Sequence, residues 1–149
     1  MATSRAARLA PVVEMAEKVE RSAAQRLGYL QGQVRLAEAK LQELEQFRAN
    51  YQAQWIKNGT QGVSGQWLMN YHRFLSQIET AVGQQRKSLN WHQNNLNSAR
   101  GIWQKAYARV EGLRKLVDRY ISEARLLEDK REQRLLDELS QRLPRSEGY

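Results

Sequence analysis

Few side chains in this sequence could carry out chemistry, and they lie far apart along the chain. The sequence has no cysteine and only two histidines, His72 and His92. Neither a carboxylate nor a second histidine lies four residues from His92, so a metal site there is not predicted. The segment GTQGVSG, residues 59–65, lacks the Lys-Ser/Thr ending of a phosphate-binding loop and follows no predicted strand. We therefore predict a protein that is not an enzyme and binds no metal and no cofactor.

The second feature of the sequence is its positive charge. The net charge is +8, and the interval from Thr80 to Val110 contains five basic residues and no acidic one. This interval is either a solvated helix face or a contact for acidic protein or phosphates. Its charges spread over several faces of a helix, so the pattern does not predict nucleic-acid binding. The five basic residues are Arg86, Lys87, Arg100, Lys105 and Arg109.

Composition favours long helices in a single domain, residues 1–149. Charged residues make up 27% of the chain, and there are two prolines, Pro11 and Pro144. The absence of cysteine suits a reducing cytoplasm. No apolar run approaches the roughly 20 residues that span a bilayer, and the first residues contain no continuous apolar stretch typical of a secretory signal. We therefore predict neither a membrane-spanning segment nor a secretory signal.

One cluster of helix-breaking residues interrupts the chain. It is the segment KNGTQGVSGQ, residues 57–66, which reads as a turn between two long helices. Ser64 is a candidate cap for the helix that follows, because its hydroxyl can accept a backbone N–H of the first turn. The predicted bounds are about 9–57 for the first helix, 58–65 for the turn and 66–143 for the second helix.

The second helix carries an unbroken heptad repeat. Of eighteen positions in two interleaved series, sixteen are apolar, and the two polar ones are Gln85 and His92. Such a repeat predicts a coiled-coil seam in which the polar positions fix the register. The two series are Leu68, Leu75, Val82, Leu89, Leu96, Trp103, Val110, Val117, Ala124 and Tyr71, Ile78, Gln85, His92, Ala99, Ala106, Leu113, Tyr120, Leu127.

The first helix follows the same rule with one irregularity. Two successive steps of four, from Val19 to Ala23 and on to Leu27, predict a stutter that locally unwinds the supercoil. The full predicted series is Leu9, Val12, Ala16, Val19, Ala23, Leu27, Leu30, Val34, Ala37, Leu41, Leu44, Arg48, Tyr51 and Trp55.

A short turn between two such helices predicts a fold class: all-α, a long antiparallel two-helix coiled-coil hairpin. Folding back around residues 61–62 pairs positions whose numbers sum to about 123. The second helix then extends beyond the first, so everything after about Ser122 is an overhanging C-terminal helical tail. That tail keeps a stripe of leucines but has no partner helix, and we expect Pro144 to end it.

Aromatic residues gather on both sides of the turn. In this register Tyr71 is a seam residue, whereas Trp67, Phe74 and Phe47 lie one position off the seam. These flanking rings either fold over the seam and seal its end or form an exposed patch that binds a partner. The two interpretations are compatible.

The segment GVSGQWLMNYHRFLSQIETAVGQQRKSL resembles the corresponding stretch of the FliJ family, coiled-coil proteins of the bacterial flagellar export apparatus. The shared motif is a small-residue turn, a Trp and then NYxxF, here Gly62, Trp67 and residues 70–74, followed by Ile78 and Ala81. Trp67 stands one residue further from the tyrosine than in the relatives. Length, lack of cysteine and the two-helix layout fit over nearly the whole chain.

The resemblance implies a non-catalytic, stalk-like activator of the flagellar export ATPase ring that links the ring to the membrane export gate and helps escort export chaperones. It implies a cytoplasmic protein, peripheral on the membrane at the flagellar base. Matching residues place the contact with the cytoplasmic domain of the gate on Lys40, Leu44, Phe47, Tyr51, Phe74, Ile78, Ala81 and Gln85. By analogy with rotary ATPase stalks, the candidate ring contacts are Arg5, Arg8, Arg109, Arg114, Lys115 and Arg119.

Two alternatives remain open from the residues alone. A basic coiled coil that binds nucleic acid would show steeply salt-dependent binding. A self-assembling scaffold would form concentration-dependent oligomers through Trp67 and Phe74.

Overall fold

The computed structural model describes residues 4–59, 61–62 and 64–143, and in this part of the chain it contains two helices and no strand. Helix α1 spans Arg5–Gly59 and helix α2 spans Gly65–Arg142. The fold is the all-α helical hairpin that the heptads predicted. Helix α1 begins about four residues before the predicted start. Pro144 lies outside the described residues.

Both helices begin at a serine cap. The Ser64 hydroxyl accepts the backbone N–H of Trp67 at 3.1 Å, as predicted, and the Ser4 hydroxyl accepts the N–H of Ala7 at 3.1 Å. The cap at Ser4 explains the early start of α1, because it satisfies an N–H group that the first turn leaves unpaired. Between the helices, Gly62 has φ of 82°, a conformation that side chains with a Cβ rarely adopt.

The chain forms two compact units. Unit 1 comprises Met1–Glu20 and Lys105–Tyr149, and unit 2 comprises Arg21–Gln104. In each unit a segment of α1 packs against a segment of α2, and unit 2 contains the turn. The ring pairs Tyr51–Tyr71 and Trp55–Trp67 in unit 2 match the predicted antiparallel register.

The core of each unit is a narrow row of apolar side chains. In unit 1 the buried residues are Ala16, Ala106 and Val110. Unit 2 has a larger core, in which Val82 is the most completely enclosed side chain at 1% exposure. The other buried residues of unit 2 are Ala23, Leu30, Val34, Ala37, Tyr71, Ile78 and Ala99.

The predicted stutter in α1 is wrong. Val12 and Val19 were assigned to the seam, yet they are 37% and 56% exposed, whereas Val13 and Glu20 are half-buried. With Val13 and Glu20 in the inward positions, the steps of three and four alternate regularly from Leu9 to Trp55. The prediction failed at residues 19–20, where it placed Val19 in the seam in preference to Glu20. The methylene stem of a glutamate can line a seam while its carboxylate reaches the edge.

This register gives a direct test. We expect Val19→Gln to change the free energy of unfolding by less than about 0.5 kcal/mol, as for other exposed sites. Ala23→Gln should cost about 1 to 3 kcal/mol, because it forces a longer polar side chain into a packed seam. Urea unfolding followed by circular dichroism measures both values. A cost for Val19→Gln as large as that for Ala23→Gln would place Val19 in the seam and restore the stutter.

Every described residue from Ile121 to Leu143 at the end of α2 is exposed, as the overhang predicted. The seam positions Ala124 and Leu127 are among them, and they line an open cleft with Ser4, Arg5 and Ala6 at the start of α1. Leu68 is also exposed, at the start of α2. None of the described helices is long and apolar enough to cross a membrane.

Candidate partner-binding site

A column of aromatic rings spans the two helices of unit 2 beside the turn. Trp55 of α1 stacks on Trp67 and Tyr71 of α2, with ring centroids 6.2 and 4.7 Å apart. Tyr51 continues the column, stacked on Tyr71 at 5.1 Å and tilted against Phe74 at 5.0 Å. Stacked and tilted ring pairs at these distances are favourable beyond the area they bury.

Tyr71 is the centre of this column. Its ring contacts three other aromatic residues of the column and is buried. Burial raises the pKa of the Tyr71 phenol above its usual value, and the nearby Tyr51 and Glu79 act in the same direction. The phenol is therefore neutral at physiological pH. Tyr71 is core, as the heptad predicted.

Phe74 and Phe47 end the column and face solvent. Their rings meet edge to face with centroids 6.4 Å apart, and the residues are 43% and 50% exposed. The flanking aromatic residues thus differ in exposure, and partner binding by the exposed ones stays a prediction. Trp67, half-buried, stacks over the seam, whereas Phe47 and Phe74 form a small exposed apolar patch.

The remaining residues of the predicted gate contact differ in burial. Lys40 is exposed, and Leu44, Tyr51, Ala81 and Gln85 are half-buried. Ile78 is buried, so it belongs to the core of unit 2 and not to its surface.

Gln85 and His92 are the polar residues of the seam. The Gln85 side-chain amide donates a 3.1 Å hydrogen bond to the backbone carbonyl of Ala37 on the facing helix. This bond fixes the register locally, which is the role expected of a polar seam position. His92 is half-buried, and its Nδ1 has no hydrogen-bond partner.

Beside the aromatic column lies a cleft of about 170 Å³ with a polar rim, lined in part by Gln54, Asn58 and Asn70. Trp55 also lines this cleft, and its indole Nε1 is buried without a hydrogen-bond acceptor.

The predicted contacts with the ATPase ring all lie in unit 1 and are basic. The Arg5 guanidinium lies over the Tyr120 ring, 5.6 Å from its centroid. Arg114 bridges α2 to α1 through Glu17 at 3.2 Å and also pairs with Glu111. The hydrogen bond that Arg114 donates to the Glu17 carboxylate is the main cause of the raised pKa of Arg114.

The other basic residues of this set lie at the surface. Arg119 pairs with Glu123 one turn later, at 3.1 Å. Arg8, Arg109 and Lys115 are exposed. All six residues of the set are exposed, and three of them, Arg5, Arg114 and Arg119, also contact a neighbour within the unit.

Two apolar residues that the sequence interpretation did not single out are prominent in unit 2. Trp91 and Ile102 are 62% and 63% exposed on α2. The signal for them was present, because both lie off the seam inside the long basic interval. Among the described residues, no group of three or more His, Asp or Glu could hold a metal ion.

Comparison with known proteins gives a consistent result. The flagellar FliJ protein of Escherichia coli K12 is 28% identical over 134 residues, covering 90% of this chain and 91% of that protein. The flagellar FliJ protein of Salmonella typhi is 27% identical over 129 residues, covering 87% and 88%. No solved structure gives a significant match. The model of the family described as "Flagellar FliJ protein" matches residues 4–148, so the chain belongs to the FliJ family of the flagellar export apparatus.

Proposed function

We propose that this component of the flagellar export apparatus is a non-catalytic, stalk-like activator of the export ATPase ring that also contacts the membrane export gate. The observation that carries the proposal is the exposed Phe47–Phe74 pair on a rigid aromatic base. Exposed rings held in place by buried neighbours lose little side-chain entropy on binding and often dominate a protein interface. The gate then contacts unit 2 through this patch.

Basic side chains of unit 1 supply the second contact. Arg8, Arg109 and Lys115 are exposed and suit an acidic surface inside an ATPase ring. Arg5, Arg114 and Arg119 contact Tyr120, Glu17 and Glu123, respectively, within the unit and contribute less to the ring contact.

Export chaperones are further partners. The protein stays cytoplasmic and reaches the membrane at the flagellar base through its partners.

The gate contact is tested by Phe74→Ala. We expect an unchanged helix content and an affinity for the isolated cytoplasmic domain of the export gate about thirtyfold lower, the effect of truncating a central interface aromatic that contributes about 2 kcal/mol. Isothermal titration calorimetry measures the affinity. Ile56→Ala is the control, since Ile56 is an apolar residue of α1 outside the patch that is exposed even more than Phe74, at 64% against 43%. Equal binding by the folded Phe74→Ala protein would rule out the patch as the gate contact.

The activator role is tested separately, by measuring ATP turnover and ring assembly of a purified flagellar export ATPase with this protein at near-stoichiometric amounts. We expect faster turnover together with larger assemblies. A triple charge reversal at Arg8, Arg109 and Lys115 should remove the stimulation and leave gate binding intact. No stimulation by the folded wild-type chain would eliminate the activator role.

A further inference from the structure

A groove runs between the two helices at the end of unit 2 that lies farthest from the turn and from the aromatic column. Its volume is about 380 Å³. Small seam residues form its floor, where Ala23 and Ala99 are buried, and Leu30 closes one side. Trp91 and Ile102 form the opposite wall with most of their surface in solvent. The groove is therefore a mainly apolar depression walled by two large side chains.

The wall on α2 has the spacing of a second helical seam. Its residues Trp91, Asn95, Ser98 and Ile102 follow one another at steps of four, three and four, beside the seam that faces α1. A helix with two adjacent stripes of this spacing packs against two other helices at once. One of them is α1, and no described residue of unit 2 fills the position of the other.

The two helix segments that line the groove are basic. Residues 21–37 and 80–104 contain three basic residues each and no acidic one. Arg26 lines the groove, where its guanidinium lies 5.9 Å from the Tyr29 ring centroid. Lys87 precedes Trp91 by one helical turn and so lies on the same face of α2. Whatever fills the groove brings negative charge beside its apolar residues.

We propose that this groove binds an acidic amphipathic helix of another protein, which packs as a third helix against α1 and α2. Its apolar stripe covers Trp91 and Ile102, and its carboxylates reach Arg26 and Lys87. The site is distinct from the Phe47–Phe74 patch, and the proposal does not depend on gate binding.

A protein helix fits this groove better than nucleic acid does. Nucleic acid requires a row of basic side chains along one face. On α2, Arg100 lies on the opposite side of the helix from the groove residue Ile102, and on α1, Arg35 lies on the opposite side from Arg26. Arg86 is paired with Glu45 at 3.1 Å. The depth and apolar walls of the groove favour apolar side chains from a partner.

Site-specific photo-crosslinking in the full-length protein, produced in its own cells, tests the proposal. The photoreactive amino acid p-benzoylphenylalanine replaces Ser98 inside the groove or, as a control, Leu36, which is 65% exposed and does not line the groove. Mass spectrometry then identifies the crosslinked segment. From position 98 we expect a segment of another protein with net negative charge and apolar residues three and four apart, and we expect it to be absent from position 36.

Two substitutions add specificity to the same experiment. Arg26→Glu and Trp91→Ala should each lower the crosslink yield from position 98 about tenfold. Arg35→Glu reverses a charge on the opposite face of α1 and should lower it by less than about twofold. Circular dichroism checks that each exposed substitution leaves the helices intact.

Each other result would overturn the proposal. These results are equal crosslinking from positions 98 and 36, a neutral or basic segment, a crosslink to nucleic acid, a crosslink to a second copy of this chain, or insensitivity to Arg26→Glu and Trp91→Ala.

Discussion

Tyr71→Ala is expected to lower the free energy of unfolding by about 3 kcal/mol or more, within the range observed when a buried aromatic residue is truncated. Tyr71 is the residue on which Tyr51, Trp55 and Trp67 all stack. Removing its ring therefore leaves three aromatic neighbours without their common contact. A helix pair with a narrow core has few other side chains that can fill the space.

Urea or thermal unfolding followed by circular dichroism measures this loss. Met69→Ala is the control, since Met69 lies two residues away on the same helix and is 70% exposed. That substitution should change the free energy of unfolding by less than about 0.5 kcal/mol. Similar losses for the two substitutions would mean that the aromatic column does not support the turn end of unit 2.

The same substitution has a functional consequence. Phe74 is held through Tyr51, and Tyr51 is held by stacking on Tyr71. We therefore expect Tyr71→Ala to weaken gate binding as well as stability, whereas Phe74→Ala weakens gate binding alone. This contrast separates the residue that supports the patch from the residue that contacts the partner.

Val82→Asp is expected to destabilise the protein by about 4 kcal/mol at neutral pH. Val82 is 1% exposed, and a carboxylate there loses its hydration without gaining a partner in the apolar seam. The loss should shrink in acid, because a protonated carboxyl is far less costly to bury than an ionised one.

Gln84→Asp is the control for the introduced charge, since Gln84 is exposed two residues further along α2. It should change the free energy of unfolding by less than about 0.5 kcal/mol. Chemical unfolding at two pH values measures both variants. If Val82→Asp cost no more than Gln84→Asp, or if its cost did not depend on pH, the seam at Val82 would be hydrated and not a dry core.

Local chemistry determined the elements of this fold. The hydroxyl of Ser64 capped α2 as predicted, because a cap depends only on the residues of the first turn. The breakers of residues 58–65 separated the helices, and the heptads gave the antiparallel register that the Tyr51–Tyr71 pair confirms. Periodicity was sufficient here because a two-helix pair has a single kind of interface.

The same periodicity failed where two registers compete. At residues 12–13 both registers offer a valine. At residues 19–20 one register offers Val19 and the other offers Glu20. Only packing against α2 decides which is turned inward, and it selects Val13 and Glu20. A hydrophobicity pattern cannot reproduce this choice, because it depends on which side chains α2 places against these positions.

For the candidate site, the sequence by itself placed the aromatic residues at the turn end and the family motif drew attention to Phe47 and Phe74. Only the tertiary structure separated buried Tyr71 and Ile78 from the exposed rings, because neighbours in sequence differ in burial according to what the facing helix places against them. It also made a groove from Ala23 and Ala99 beside Trp91. Composition and spacing fix which residues lie on each helix face, whereas depth and exposure depend on both helices together.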